Sequence, residues 1–520
     1  MKADFTRDTF DKSNHFSRVL RQQGRVALDA DDNERDSIVL YYLRTLARDL
    51  IGPYAAPAND AGFDLTYDAD GLHISAGRYY VDGILVENEE DCLYATQADY
   101  PVAEDDPLIK AGKDQRGDLF FVYLVVWERH ITTIEDDYIR EKALGGPDTC
   151  TRAKVVWQVR SLDLASQALN NEAAKQKLLN DRAALSASLD VATDATVQKD
   201  LEDKIAAIDA ELAKLKSLDG PAHPPCDVLV GDLVTLSSAM LAARVAPDQQ
   251  TQSACVTPPG SKYRGVENHL YRVEIHDGGT VGEATFKWSR DNGSIVAAWA
   301  GTEGNDLLAS SGRGFEAGNW VELSDDAAEL LGGHGSLVRV GSVEGDALTV
   351  DQDSLPSADA LAWSDQLVNP KIRRWDQTQN DNVTLTDGVV PVKEGVWLDL
   401  EDGLQVQFSA GGEYRTGDYW LIPARVATGE VEWPTSVDDD GKVTQIPMSP
   451  DGIEYHYAPL GVVSWMDNQF AFESCRCQFY PLGDCFGLRG AKPELKGTAV
   501  RANRSNVRKA SKRRVTKPGR

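Results

Sequence analysis

Apolar positions along this chain recur with two periods. Near the N terminus, Val39, Leu43, Leu46 and Leu50 stand four, three and four residues apart, the spacing of one helical face. Asp31, with Glu34 three residues later, reads as an N-cap closing a capping box, and Ile51-Gly52-Pro53 ends the helix. Five acids, Asp29, Asp31, Asp32, Glu34 and Asp36, crowd its start, where the helix dipole stabilises negative charge; with no His or Cys beside them they read as a cap and not as a cation site.

Beyond this helix the pattern changes to alternation. "GLHISAGRYYVDGILVEN" carries alternating and aromatic residues around Asp82-Gly83, a hairpin signal. "DLFFVYLVVWERHI", "AKVVWQVRSLDL", "HLYRVEIHDGG", "ATFKWSRDNGSIVAAWA", "SLVRVGSVEGDALTVD" and "DYWLIPARV" continue it, with Asp291-Asn292-Gly293 a further turn. Short strands separated by Gly/Asp turns predict antiparallel sandwiches or barrels. The run from Leu119 to Trp127 is the longest apolar stretch and reads as a buried strand, too short to span a bilayer as a helix.

Residues 167–218 break the alternation, with no Gly, Pro or aromatic residue among them. Leu178, Arg182, Leu185 and Leu189 follow one helical seam, and Val197, Leu201, Ile205, Ile208, Leu212 and Leu215 a second, with "DVATDAT" between them. This predicts an antiparallel helical hairpin inserted into a β unit, each arm about 35 Å long. Leu185, Leu189 and Leu201 are its candidate partner-binding positions.

The expected fold class is therefore a β-rich multidomain protein of antiparallel sandwiches or barrels, with an N-terminal helix and an inserted α-helical hairpin. The expected division is an N-terminal arm and helix (1–55), a β-rich domain (56–165), the hairpin (166–220), two further β-rich domains (221–365 and 366–486) and a disordered basic tail (487–520).

Charge separates the tail from the rest. Residues 487–520 hold twelve Lys/Arg and Glu494, a net of +11; subtracting that from the chain's −28 leaves −39 on residues 1–486. So acidic a body is not expected to bind nucleic acid or an anionic membrane, while Arg508, Lys509, Lys512, Arg513 and Arg514 are candidates for docking the tail on an acidic protein surface. With 42% hydrophobic and 26% charged residues the composition is that of a soluble globular protein. No apolar signal segment opens the chain, so a cytoplasmic protein is expected, and its seven scattered cysteines do not suggest a disulfide framework.

Candidate chemistry is sparse. The metalloprotease, nucleophile-elbow, Walker and dinucleotide motifs are missing. Cys475, Cys477 and Cys485 are the best metal candidate, but C-x-C departs from the usual zinc spacing. The eight histidines are dispersed; His269 and His276, seven apart in a strand region, point to opposite faces. Glu128, Glu135, Asp136, Asp137 and Glu141 offer carboxylates for a glycosidase pair. "DADG" at 68–71 and "DDDG" at 438–441 read as turns and not as calcium loops. Trp127, Trp157, Trp288, Trp299, Trp320, Trp397, Trp420 and Trp433 allow a glycan-stacking reading, although aromatics in β proteins mostly fill cores. No cofactor is expected.

Several ordered blocks, "DFTRDTFDKSNHFSRVLRQQGRVALDADDNE", "GRYYVDGILVEN", "REKALGGPDT", "YRGVENHLYRVEIH", "FKWSRDNGSIV", "RVATGEVEWP" and "GIEYHYAPLGVV", resemble an uncharacterised bacterial family defined only as a domain of unknown function. The resemblance runs from Asp4 to about Val463, with the tail and hairpin outside it; Asp32 stands where the family pattern places a tryptophan. It implies a gene neighbourhood of phage-tail-like contractile injection particles, and with it a non-enzymatic structural or adaptor subunit that forms homo-oligomers and binds other subunits of a large assembly. An envelope-polysaccharide binding or degrading protein is the alternative.

Overall fold

The computed structural model describes residues 1–480 apart from 115–117, 147, 192–194, 217–223, 235–236, 248–261, 358, 439–440 and 467–468. Candidate residues Arg508, Lys509, Lys512, Arg513, Arg514 and Cys485 lie outside this set.

The N-terminal helix spans Asp29–Ile51 and buries only Ala30 and Ile38. It begins two residues before the expected cap. Leu28 occupies the N-cap position without a side-chain bond, and Asp31 lies inside the first turn. The early acids therefore serve a different purpose: they hold the preceding arm. Asp29 accepts hydrogen bonds from the Thr6 amide (2.9 Å) and hydroxyl (2.6 Å), Glu34 accepts one from the Thr9 hydroxyl (2.6 Å), and Asp32 pairs with Arg21.

The β structure is a nest of three bodies. In the outermost, one sheet joins Tyr54–Pro57, Gly77–Val81 and Ile84–Asn88, with Gln478–Phe479 added in parallel at its edge. A second runs Gln469–Ser474, His456–Met466, Phe120–Ile131 and Arg152–Asp163. Apolar side chains from both sheets, Tyr79, Val81 and Val86 with Phe120, Val122, Leu124 and Leu460, share one core. Phe120–Ile131 is buried on both faces, since Phe121, Val125 and Trp127 enter other clusters. This is why its sequence is a continuous apolar run and not an alternating one.

The middle body packs a five-stranded sheet, centred on Thr285–Ser289, His269–Ile275 and Tyr419–Arg425, against a three-stranded sheet of Leu398–Asp399, Leu404–Phe408 and Leu241–Val245. Innermost in the chain, six antiparallel strands between Val296–Glu303 and Lys371–Trp375 close into a barrel around Leu307, Val321, Val338, Leu348 and Ile372. Pairing thus joins distant stretches: Phe120–Ile131 with His456–Met466, and Leu241–Val245 with Leu404–Phe408.

The expected turns at Asp82-Gly83 and Asp68–Gly71 are present, while Asp439 and Asp440 of the one at 438–441 lie outside the described residues. Asp82 and Gly83 both take positive φ (49° and 82°), as a two-residue hairpin turn requires, and Asp68–Gly71 closes the hairpin between Leu65–Asp68 and Gly71–Ile74. The helices Leu164–Val191 and Ala195–Lys216 leave directly from the end of Arg152–Asp163. They pack on each other, with Arg182 bridging to Asp209 (2.5 Å). Leu178, Leu185 and Leu189, seven and four residues apart on the first helix, and Leu201 on the second are half-buried. Among the described residues no helix is long and apolar enough to cross a membrane.

Candidate functional site

Period-two alternation explains how charge comes to be concentrated inside this protein. In His269–Ile275, Tyr271, Val273 and Ile275 enter the apolar core, so Arg272 and Glu274 point the other way, followed by His276. In the barrel, Val321, Leu323 and Ile372 fill the interior, so Glu322, Lys371 and Arg373 project outward. Where these two charged faces meet the outermost body, a cavity of about 280 Å³ forms, lined among others by Lys2, His130, Glu274, Glu322, Glu329 and Arg373.

Two ion-pair networks border it. In the first, Lys287 contacts Glu322 (2.7 Å) and Glu274 (3.5 Å), Arg272 contacts Glu274 (2.6 Å), and the Trp375 indole donates to Glu322 (2.8 Å). The N-terminal segment completes it: Lys2 pairs with Glu274 (2.9 Å), and the Asn292 amide donates to the carbonyls of Met1 (2.9 Å) and Ala3 (2.8 Å). In the second, Lys371 contacts Glu135 (2.6 Å), Glu329 (3.1 Å) and Asp326 (3.5 Å), while Arg129 contacts Asp326 (2.5 Å) and Glu329 (2.9 Å).

The electrostatics follow from these contacts. Burial pushes Glu274 up, but Lys2, Arg272 and Lys287 outweigh it and hold the carboxyl at about 2. Glu135 and Glu329 are likewise held at about 2 against burial, chiefly by Lys371. Burial, then the neighbouring Lys287, lowers His276 to about 3; burial, then Arg373, does the same to His130. Glu135, Glu274, Glu322 and Glu329 are thus ionised and matched to cations, and these two imidazoles are neutral. Glu401, pushed up to about 7 by burial despite Arg290, sits elsewhere, bonded to Arg290 (2.7 Å) and Tyr271 (3.0 Å).

Among the described residues two groups have metal-like composition. Glu135, Asp326 and Glu329 converge, but Lys371 and Arg129 already neutralise them. His276, Asp277 and His334 bring ligand atoms within 4.8 Å of one another. There the Lys287 ammonium lies 3.3 Å from His276 Nδ1, which it uses as an acceptor, and His334 contacts Asp277 (3.0 Å) and the Gly335 carbonyl (3.0 Å).

The second notable surface is apolar and outside. On the N-terminal helix Val39, Leu40, Tyr41, Tyr42, Leu43, Leu46 and Leu50 are all exposed, and Phe16, Leu20, Val26 and Leu28 of the preceding arm are exposed as well. Monomers seldom leave so many large apolar groups in one stretch uncovered.

A model of DUF6519, a family of unknown function, matches residues 1–516. The chain belongs to that family. The match extends through the hairpin and most of the basic tail, both of which the sequence reading had left outside. No curated protein matches this DUF6519 chain. One solved structure that resembles it is titled "Crystal structure of TssK"; it is 11% identical, the overlap covers 69% of this chain and 99% of that one, and the TM-score is 0.16. A superposition this loose assigns neither fold nor function.

Most sequence candidates take structural roles in this family member. Glu128 pairs with Arg44 (2.8 Å), Asp137 with Arg140 (2.6 Å), and Asp136 and Glu141 cap short 3-10 turns, while Glu128 and Glu135 both line the cavity. His269 bonds Asp291 (3.1 Å) on the opposite side of its strand from His276. Trp127, Trp288, Trp299 and Trp420 are buried, and Trp397 stacks on Arg244 (3.8 Å). Cys475 forms a disulfide with Cys226, which removes it from a metal set with Cys477 and corrects the expectation of unpaired thiols. Sequence reasoning missed the chamber, whose partners are remote in the chain; the one available signal was charge at alternate positions of otherwise apolar strands, as in "YRVEI" and "KIRRW".

Proposed function

We propose that this protein is a non-enzymatic structural or adaptor subunit of a large protein assembly, and that the assembly is a phage-tail-like contractile injection particle. The observation that carries the reading is the uncovered apolar surface of the N-terminal arm and helix, eleven large side chains on residues 16–50. In water such a surface favours burial against another protein, at roughly 25 cal/mol per Å² covered. The interior supports the same reading: the charged chamber is built from matched ion pairs that pin the barrel, the middle sheets and the N-terminal segment together. The hairpin and the basic tail add two further contact points, and several weak contacts on one chain reinforce one another by raising effective concentration. The link to injection particles comes from the family resemblance in the sequence blocks.

A tagged copy recovered gently from its native host, imaged by electron microscopy with its partners identified by mass spectrometry, tests this. Tubular particles with co-purified sheath and tube proteins are the expected result. A lone chain or small oligomer without such partners overturns the particle assignment.

A further inference from the structure

His276 and Asp277 follow the strand His269–Ile275 of the middle body, and His334 lies between the Asp326–Leu330 helix and the barrel strand Ser336–Glu344. One ligand atom from each lies within 4.8 Å of the other two. At the centre of the group two acceptors face each other. The Gly335 carbonyl only accepts, so the His334 proton sits on Nδ1 (3.0 Å), and Nε2 turns its lone pair on Asp277 Oδ1, 3.0 Å away, which also only accepts. Two lone pairs at that distance call for a positive centre between them. We propose that His276, Asp277 and His334 bind one divalent transition-metal ion of the zinc class, which ties the barrel to the middle body. The proposal goes beyond the assembly role and does not depend on it.

The surroundings of the three side chains fit that ion. A metal-binding imidazole donates its other N–H to a carbonyl or carboxylate, as His334 does, and a metal-binding carboxylate is itself hydrogen-bonded, as Asp277 is: the Thr285 hydroxyl donates to its Oδ2 (2.8 Å). Two ligand atoms about 2.0–2.2 Å from a tetrahedral zinc lie roughly 3.4 Å apart. Nε2 and Oδ1, at 3.0 Å, therefore need to open by only a few tenths of an ångström. His276 Nδ1 faces Lys287 at 3.3 Å, which leaves Nε2 to take the ion; the ring proton then moves to Nδ1, and Lys287 keeps its shorter bond to Glu322 (2.7 Å). The two rings are stacked with centroids 3.6 Å apart and must spread to share one ion. His334 is the one that can move, since it stands among Gly332, Gly333 and Gly335 with its side chain 33% exposed, whereas His276 is buried. Two imidazoles and one carboxylate suit zinc and its first-row neighbours, not calcium or copper(I). Three protein ligands leave the fourth position to water, on the side where the Asp277 side chain is 48% exposed.

Titration of the chelator-treated full chain with Zn²⁺ by calorimetry, and with Co²⁺ by visible absorption, tests the site. The expected result is one saturable ion per chain, with the absorption of tetrahedral cobalt and without the thiolate charge-transfer bands that the exposed Cys150 or Cys477 would give. His334→Ala and Asp277→Asn, both at partly exposed positions, are each expected to weaken binding about 100-fold or more with unchanged circular dichroism, and Thr285→Val, which removes only the hydroxyl behind Asp277, about 10-fold. Zn²⁺ should raise the melting temperature of the parent and leave that of His334→Ala in place. A parent that takes up no ion overturns the proposal and leaves His334 and Asp277 as an ordinary ion pair sharing a proton. Thiolate bands in the cobalt spectrum, or either ligand variant binding as tightly as the parent, overturn it equally.

Discussion

Gly83 packs so closely against the backbone of Arg44 that a Cβ on the glycine would overlap the Arg44 carbonyl oxygen. The contact is the seat of the N-terminal helix. Beside it Arg44 pairs with Glu128 (2.8 Å) and Arg48 with Asp82 (3.5 Å), and Asp82 also receives His456 (3.0 Å). Gly83 has a φ of 82°, where an L side chain costs about 1–2 kcal/mol before any overlap is counted. Gly83→Val is therefore expected to destabilise the protein by roughly 2 kcal/mol or more and to loosen the helix locally. Hydrogen exchange checks this: amides of Asp29–Ile51 should exchange faster in the variant, while those of the barrel strands keep their parent rates.

The buried histidines set an acid limit. His130 stands at about 3, held down first by burial and then by Arg373, and its Nε2 is buried without a hydrogen-bond partner. In the unfolded chain a histidine titrates near 6.5. Between these values the unfolded state takes a proton that the folded state refuses, so stability falls as pH drops from about 6.5 towards 3. His276, also at about 3, acts with the same sign. His130→Gln removes one of these protons. Its urea midpoint should fall less than the parent's between about pH 6.5 and 4.5; equal slopes would show that His130 is not a contributor.

How much of this was readable follows from the range of the interactions. The helix face at Val39, Leu43, Leu46 and Leu50, the Asp82-Gly83 turn, the buried strand from Phe120 and the hairpin depend on neighbours within a few residues, and each appears where the pattern placed it. The start of the first helix was misplaced, because Asp31 has cap-forming chemistry while the Thr6 and Thr9 contacts that decide the use of these acids come from a separate arm. The chamber was invisible for the same reason on a larger scale. Lys371 and Glu135 lie 236 residues apart, and Cys226 and Cys475 lie 249 apart. Alternation told which residues turn away from each core but not that three such faces would meet.

The disulfide gives a redox-dependent expectation. It ties the start of the Cys226–Leu233 helix to the stretch following Gln469–Ser474, closing a loop of 249 residues. Closing a loop of that size removes chain entropy from the unfolded state, a stabilisation on the order of 3–5 kcal/mol. Cys226→Ser should lower the guanidinium midpoint relative to the parent under non-reducing conditions, and the two proteins should unfold together in excess dithiothreitol. A difference that persists in reductant would assign the effect to packing at Cys226 instead.

The hairpin can be removed without touching a sheet. Its ion pairs Arg182–Asp209 and Lys204–Asp200 are internal to it, and it leaves the body at the end of one strand. Replacing residues 167–218 with a short flexible linker is expected to leave the thermal transition of the body within a few degrees of the parent's, about the change that 1 kcal/mol produces, while lowering incorporation into particles. Unchanged incorporation would remove the hairpin, and with it Leu185, Leu189 and Leu201, from the contact surfaces.

Lys371, beside the chamber, is 1% exposed and faces Glu135, Glu329 and Asp326 together. Lys371→Met keeps much of its apolar length and leaves three carboxylates to Arg129, which reaches only Asp326 and Glu329. Loss of one partner from a buried charge cluster costs about 3–5 kcal/mol. The pH dependence identifies the cause. In the parent, Glu135 and Glu329 sit at about 2, so their contribution is fully present above the unfolded value near 4.5 and disappears as pH falls through 2. In the variant these carboxyls lose the cation that opposed burial, so they take up protons at higher pH and shed their repulsion. The stability gap between parent and variant should accordingly be widest near pH 7 and narrow as pH falls from about 4.5 towards 2. A gap that stays constant over that range would mean that the lysine acts through its packed methylenes and not through its charge.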